Sequence, residues 1–120
     1  MREPMKVQMQ GQRVRLRVDE AELARLQAGE GLENLTRFPG GTVSRQQLRV
    51  VPGVTALWTA VEAGWQCGMP IGLLDAYVAQ LPCRDALPLH LSLADGSALE
   101  IGFEVDVRDS VRNRGSRRGG

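Results

Sequence analysis

A chain of 120 residues with 42% apolar and 24% charged side chains is one ordinary globular domain, large enough to bury a core without disulfide or metal staples. Its formal charge of +1 hides an asymmetry: residues 111–120 carry four arginines and no acid, so the remaining 110 residues carry 11 bases against 14 acids. A body at −3 is ill suited to gripping a phosphate backbone over a broad surface, five aromatic residues are too few for a base-stacking platform, and no stretch approaches the ~20 apolar residues of a membrane span.

The N-terminus, Met1-Arg-Glu-Pro, lacks the apolar run of a signal peptide. Two cysteines, Cys67 and Cys83, fit a reducing compartment, so the expectation is a cytoplasmic protein with free thiols. Met5-Lys-Val is itself a natural start, which makes residues 1–4 a dispensable extension.

Met5 to Met9 and Arg13 to Val18 alternate apolar and polar around a Gln10-Gly11 turn, the pattern of a β-hairpin. Val7, Met9, Val14, Leu16 and Val18 are expected to face the core, with Lys6, Gln8, Arg13, Arg15 and Arg17 outside. A helix follows from Glu20 to Ala28. Asp19 is its N-cap, Glu22 completes a capping box, Val18 and Leu23 stand at the staple positions, and Gly29 fits the left-handed residue past its end. Leu32 to Phe38 and Gln47 to Val51 read as strands separated by Pro39-Gly40-Gly41. Val54 to Val61 and Trp65 to Met69 form a second hairpin. A second helix is expected from Pro70 to Leu81, with the proline in its first turn and Pro82 ending it. Leu87 to Leu93 and Ala98 to Val107 pair around Asp95-Gly96. From Ser110 the Arg/Gly/Ser/Asn composition predicts disorder.

These elements predict an α+β fold with a mainly antiparallel sheet or partly closed barrel and two short helices, over residues 1–109, followed by a basic tail at 110–120. A strand running straight into a helix occurs twice, at Val14–Ala28 and at Trp65–Leu81, which suggests an internal duplication with a pseudo-two-fold axis. All five aromatics lie in apolar-patterned segments and are assigned to the core.

Candidate chemistry is sparse. His90, the one histidine, sits in an apolar strand with no patterned nucleophile or metal partner nearby, and a structural or solvent-facing role is favoured. The cysteines stand sixteen residues apart without a second ligand pair, which argues against zinc. Cys67 alternates with Trp65 and Met69 as a small buried hydrophobe, and Cys83 lies beside Arg84 in a loop, where a lowered thiol pKa is conceivable only within a pocket. Gly29-Glu-Gly31 follows a helix, whereas a phosphate loop precedes one. Glu104 and Asp106 alternate with Phe103, Val105 and Val107 as a solvated strand face. The one non-structural candidate is the arginine face, Arg13, Arg15 and Arg17, able to meet phosphates or an acidic partner; cross-strand pairing with acids is the favoured alternative.

The stretch from Met5-Lys-Val-Gln-Met-Gln-Gly-Gln-Arg-Val-Arg-Leu-Arg-Val through Leu23-Ala-Arg-Leu26, Gly29 and Thr36-Arg-Phe38 resembles the opening of a family of small uncharacterised bacterial proteins, a domain of unknown function. The likeness is good over residues 5–38 and looser to about 107. Phe103-Glu-Val-Asp-Val107 and the arginine tail stand where that family has a lysine-aspartate-phenylalanine segment with a cysteine. No activity is assigned to the family, so no site residue follows from it. The rhythm of Gly11–Leu32, repeated at Gly64–Leu89, is also similar to swapped-hairpin transition-state regulators, whose barrel binds DNA; a likeness of pattern carries fold and not function.

The resulting expectation is a small cytoplasmic, non-enzymatic binding or interaction module. It needs no cofactor or metal, does not bind membranes, and has a protein or anionic partner or a second copy of itself. The alternative is a nucleic-acid-binding regulator using Arg13, Arg15, Arg17 and the tail, disfavoured by the acidic body.

Overall fold

The computed structural model describes residues 5–106, so the expectations for residues 1–4, Val107 and the basic tail lie outside the described residues. The chain runs β1 (Lys6–Gln10), β2 (Arg13–Asp19), α1 (Glu20–Gln27), β3 (Leu32–Arg37), β4 (Val43–Val51), β5 (Leu57–Val61), β6 (Gly64–Pro70), α2 (Ile71–Val78), β7 (Leu87–Ser92) and β8 (Ala98–Asp106). The fold is α+β. Its strands form two open four-stranded sheets, β1-β2-β8-β7 and β3-β4-β6-β5, and neither closes into a barrel.

Helix α1 begins where its capping residues dictate. Glu22 N–H donates to the Asp19 carboxylate at 2.7 Å, and Asp19 N–H donates to the Glu22 carboxylate at 3.1 Å. Val18 and Leu23 are both buried beside this cap. At the other end Glu30 N–H donates to Arg25 O and Gly29 N–H to Leu26 O, with Gly29 at φ 93°, the paired bonds of a Schellman ending. Helix α2 departs from expectation. Pro70 is extended (φ −65°, ψ 130°) and ends the strand as N-cap without a side-chain bond. The helix stops at Val78, and Gln80 and Leu81 close tighter turns onto Tyr77 and Val78 instead.

The duplication extends across the described chain. β1-β2-α1 recurs as β5-β6-α2 displaced by 51 residues, and β3-β4 recurs as β7-β8 displaced by 55. Single hydrogen bonds repeat with it. Phe38 N–H donates to Thr42 O and Gly41 N–H to Phe38 O; Leu93 N–H donates to Ser97 O and Gly96 N–H to Leu93 O. Gly41 and Gly96 sit at φ 93° and 90°, a conformation glycine adopts without strain.

Each sheet takes one hairpin from each copy. The four hairpins are antiparallel, but they are joined by parallel central pairs, β2 with β8 (Arg13 opposite Glu100) and β4 with β6 (Arg45 opposite Gly64). A mainly antiparallel sheet was expected, and the two parallel pairs were not legible, because alternation tells which face a residue takes and not which distant strand lies beside it. One core joins both sheets and both helices, with Leu16, Leu26, Leu48, Cys67, Met69, Leu74 and Phe103 fully buried.

Three side-chain expectations are corrected. Met9 is 60% exposed, because it lies near the tip of an edge strand away from the helices that cover the core. Phe38 and Trp58 are exposed rather than core, the first in the β3–β4 turn and the second on edge strand β5. β4 starts four residues before Gln47, and β5 starts at Leu57 rather than Val54.

Candidate functional site

Arg13, Arg15 and Arg17 do share the outer face of β2, and the neighbour that the parallel pairing supplies is β8, with Glu100 and Glu104 on the same side. Arg13 meets Glu100 at 3.2 Å. Arg15 and Arg17 converge on one carboxylate oxygen of Glu104, at 2.8 and 3.3 Å, and the Glu104 side chain is only 15% exposed between them. Lys6 and Gln8 from β1 complete a depression of about 400 Å³ over Arg15, Arg17 and Glu104. The stripe is therefore a charge ladder across the junction between the two copies. Exposed pairs such as Arg13–Glu100 contribute about 0–1 kcal/mol each.

The remaining sequence candidates are dispersed. His90 lies on the outer face of β7, 64% exposed, with Nδ1 3.9 Å from Glu100. Cys67 is buried, and burial pushes its thiol up to about 12, which removes thiolate chemistry at neutral pH. Cys83 is half-buried and free. The Tyr77 hydroxyl donates to Asp85 O at 3.1 Å, and burial raises its pKa. Among the described residues no three His, Cys, Asp or Glu side chains cluster as metal ligands, and no helix is long and apolar enough to cross a membrane.

The second sheet presents a different surface. On its outer face Gln47 donates to Glu33 at 2.8 Å and Gln66 donates to Gln47 at 3.4 Å, a polar row across three strands. Gly64 interrupts the side-chain rows on β6, because a Cβ there would stand 1.6 Å from the Arg45 carbonyl oxygen. Apolar side chains of this sheet and its connections are also left in solvent. Of eight large exposed hydrophobics among the described residues, six belong to this sheet or the segments joining it: Leu35, Phe38, Val43, Val54, Leu57 and Trp58. Trp58 stacks on Trp65 with ring centroids 4.6 Å apart and remains 38% exposed.

Comparison with protein-family models, with curated proteins and with solved structures finds no match for this chain.

Sequence reasoning counted Phe38 and Trp58 into the core and singled out none of the other four as exposed. A signal was present: Val54 to Val61 carries no charge over its whole length. An uncharged run reads alike for a central strand and an open edge, and only the sheet order separates them.

Proposed function

We propose that this chain is a small non-enzymatic binding module whose contact surface is the β3-β4-β6-β5 sheet. The observation that supports this function is the concentration of exposed large apolar side chains on that sheet and its connections, with one ion pair, Arg45–Glu33 at 3.3 Å, beside them, where the β1-β2-β8-β7 sheet carries a ladder of paired charges. Exposed aliphatic residues beside a polar row are the composition of a contact patch, and Leu35, Val43 and Leu57 share the outer face with Gln47 and Gln66. A nucleic-acid role for Arg13, Arg15 and Arg17 has less support, since Glu100 and Glu104 already meet these guanidinium groups.

The test is affinity capture from the source cell with the wild-type chain and with a Leu35→Ser/Phe38→Ser/Val43→Ser variant, each confirmed folded by circular dichroism. A protein retained by the wild type and lost from the variant is the expected result. Equal retention by both, or no retained protein, overturns the assignment.

A further inference from the structure

Of the four edge strands among the described residues, three carry features that discourage pairing with another chain. β1 begins with Lys6, β3 carries Glu33 and Arg37, and β7 contains Pro88 and His90. β5, Leu57-Trp-Thr-Ala-Val61, has neither charge nor proline, and four of its five residues are exposed. We propose that β5 pairs antiparallel with β5 of a second copy of this chain, joining two four-stranded sheets into one of eight strands about a dyad at Thr59. This rests on the assignment of the same sheet as the contact surface, and it names one occupant of its open edge.

The hydrogen-bond phase of β5 admits this register together with those centred on Trp58 and on Ala60, and side-chain size separates the three. Arg45 N–H donates to Ala63 O, so the backbone groups of Ala63 face β4 and those of Gly64 face β5. Gly64 lies opposite Val61, so Val61, Thr59 and Leu57 spend their backbone groups on β6. The N–H and C=O groups of Trp58 and Ala60 then point to the open edge. A two-fold axis at Thr59 sets Trp58 against Ala60 of the second copy, so the outward groups meet their counterparts in hydrogen-bonded pairs.

Side-chain size agrees with the phase. On one face bulky Trp58 lies opposite small Ala60, with the two tryptophans diagonal and within reach of each other. On the other face Leu57 lies opposite Val61, and Thr59 meets itself across the axis. A dyad at Trp58 would oppose the two indoles directly, and one at Ala60 would set Trp58 against Glu62. No charge within β5 opposes its own copy, so self-pairing meets no like-charge penalty. The partner edge would also cover Leu57 and Trp58, which are 52% and 38% exposed in the single chain.

Thr59 is exposed and its side chain is outside the core, so substitutions there leave the monomer fold intact. Sedimentation equilibrium of the wild type is expected to show a reversible dimer, and Thr59→Lys, which places two ammonium groups across the axis, is expected to weaken it at least tenfold. In a Cys83→Ser background, Thr59→Cys is expected to form an intermolecular disulfide on mild oxidation, since a non-hydrogen-bonded antiparallel pair holds Cα atoms at about 4.5 Å, within the range of about 4.4–6.8 Å that a disulfide spans. A wild type that stays monomeric at every concentration overturns the proposal. A dimer that Thr59→Lys leaves unchanged, or that Thr59→Cys does not cross-link, overturns it as well. Retention of a partner that depends on Leu35, Phe38 and Val43 would survive either failure, because those residues belong to β3, β4 and the turn between them.

Discussion

Cys67 shows how a single buried group makes stability depend on pH. Its thiol is raised from 9.0 to about 12 by burial. An unfolded chain releases that proton near pH 9, whereas the folded chain keeps it, so the folded state binds more protons between the two values. Stability is full below the unfolded value and falls as pH rises through that window, with a slope approaching about 1.4 kcal/mol per pH unit for one proton. Tyr77, raised chiefly by burial from 10.0, adds a loss of the same sign at higher pH. Urea midpoints taken from about pH 8 to about pH 10 are expected to fall in the wild type. Cys67→Ala should be less stable throughout, from the cavity it leaves, yet show a flatter slope. A flat wild-type profile would refute the assignment.

At the scale of elements, the two helices begin by different means. α1 has a capping box, a staple and a Schellman ending, whereas α2 follows an extended proline with no side-chain bond at its N-cap. Asp19→Ala removes the carboxylate that accepts from Glu22 N–H, while the bond from the residue 19 amide to Glu22 can persist, and is expected to cost about 1 kcal/mol. Thermal denaturation read by far-ultraviolet circular dichroism measures this; an unchanged midpoint would show that packing of Leu23 and Leu26 alone holds the helix. This is also where the sequence was most legible. Asp19, Glu22 and Gly29 act within a few residues of one another, so their spacing is already their geometry. The extent of α2 was less legible, because Ile71, Leu74, Val78 and Leu81 keep helical spacing past the point where the backbone tightens. The outer strands were least legible, since Met9 and Trp58 follow an apolar pattern whose burial depends on what lies across the sheet.

At the scale of the molecule, the halves are interlocked, and the charges across the β2–β8 junction are complementary. The equivalent of Glu100 in the first copy is Arg45, and the equivalent of Glu104 is Arg49. Two first halves pairing with each other would set Arg13 against Arg45 and Arg17 against Arg49; the native pairing sets Arg13 and Arg17 against Glu100 and Glu104. The arginine face thus complements the unlike half and would meet like charge on the like one. Fragments 1–53 and 54–120, cut in the connection between β4 and β5, are each expected to be largely unfolded alone and to regain the native spectrum when mixed. A dispersed amide spectrum from 1–53 by itself would contradict the interlocked design. Arg13→Glu/Arg17→Glu in the first fragment should weaken reassociation.

Local order and chemistry were determined by the amino-acid sequence alone: the strand-to-helix junctions at Asp19 and Pro70, the α+β class, the faces of β2 and β8, and the doubled unit. Each depends on side chains only a few positions apart, where periodicity and capping act directly. Tertiary structure alone decided which strands became neighbours. The parallel pairs β2–β8 and β4–β6 bring together residues far apart in the chain, turn the arginine stripe into a ladder with Glu100 and Glu104, and leave β5 as an open, uncharged edge. Alternation along a strand carries no record of its partner, so exposure, and with it the surface proposed for binding, was settled only when the sheets closed around the shared core.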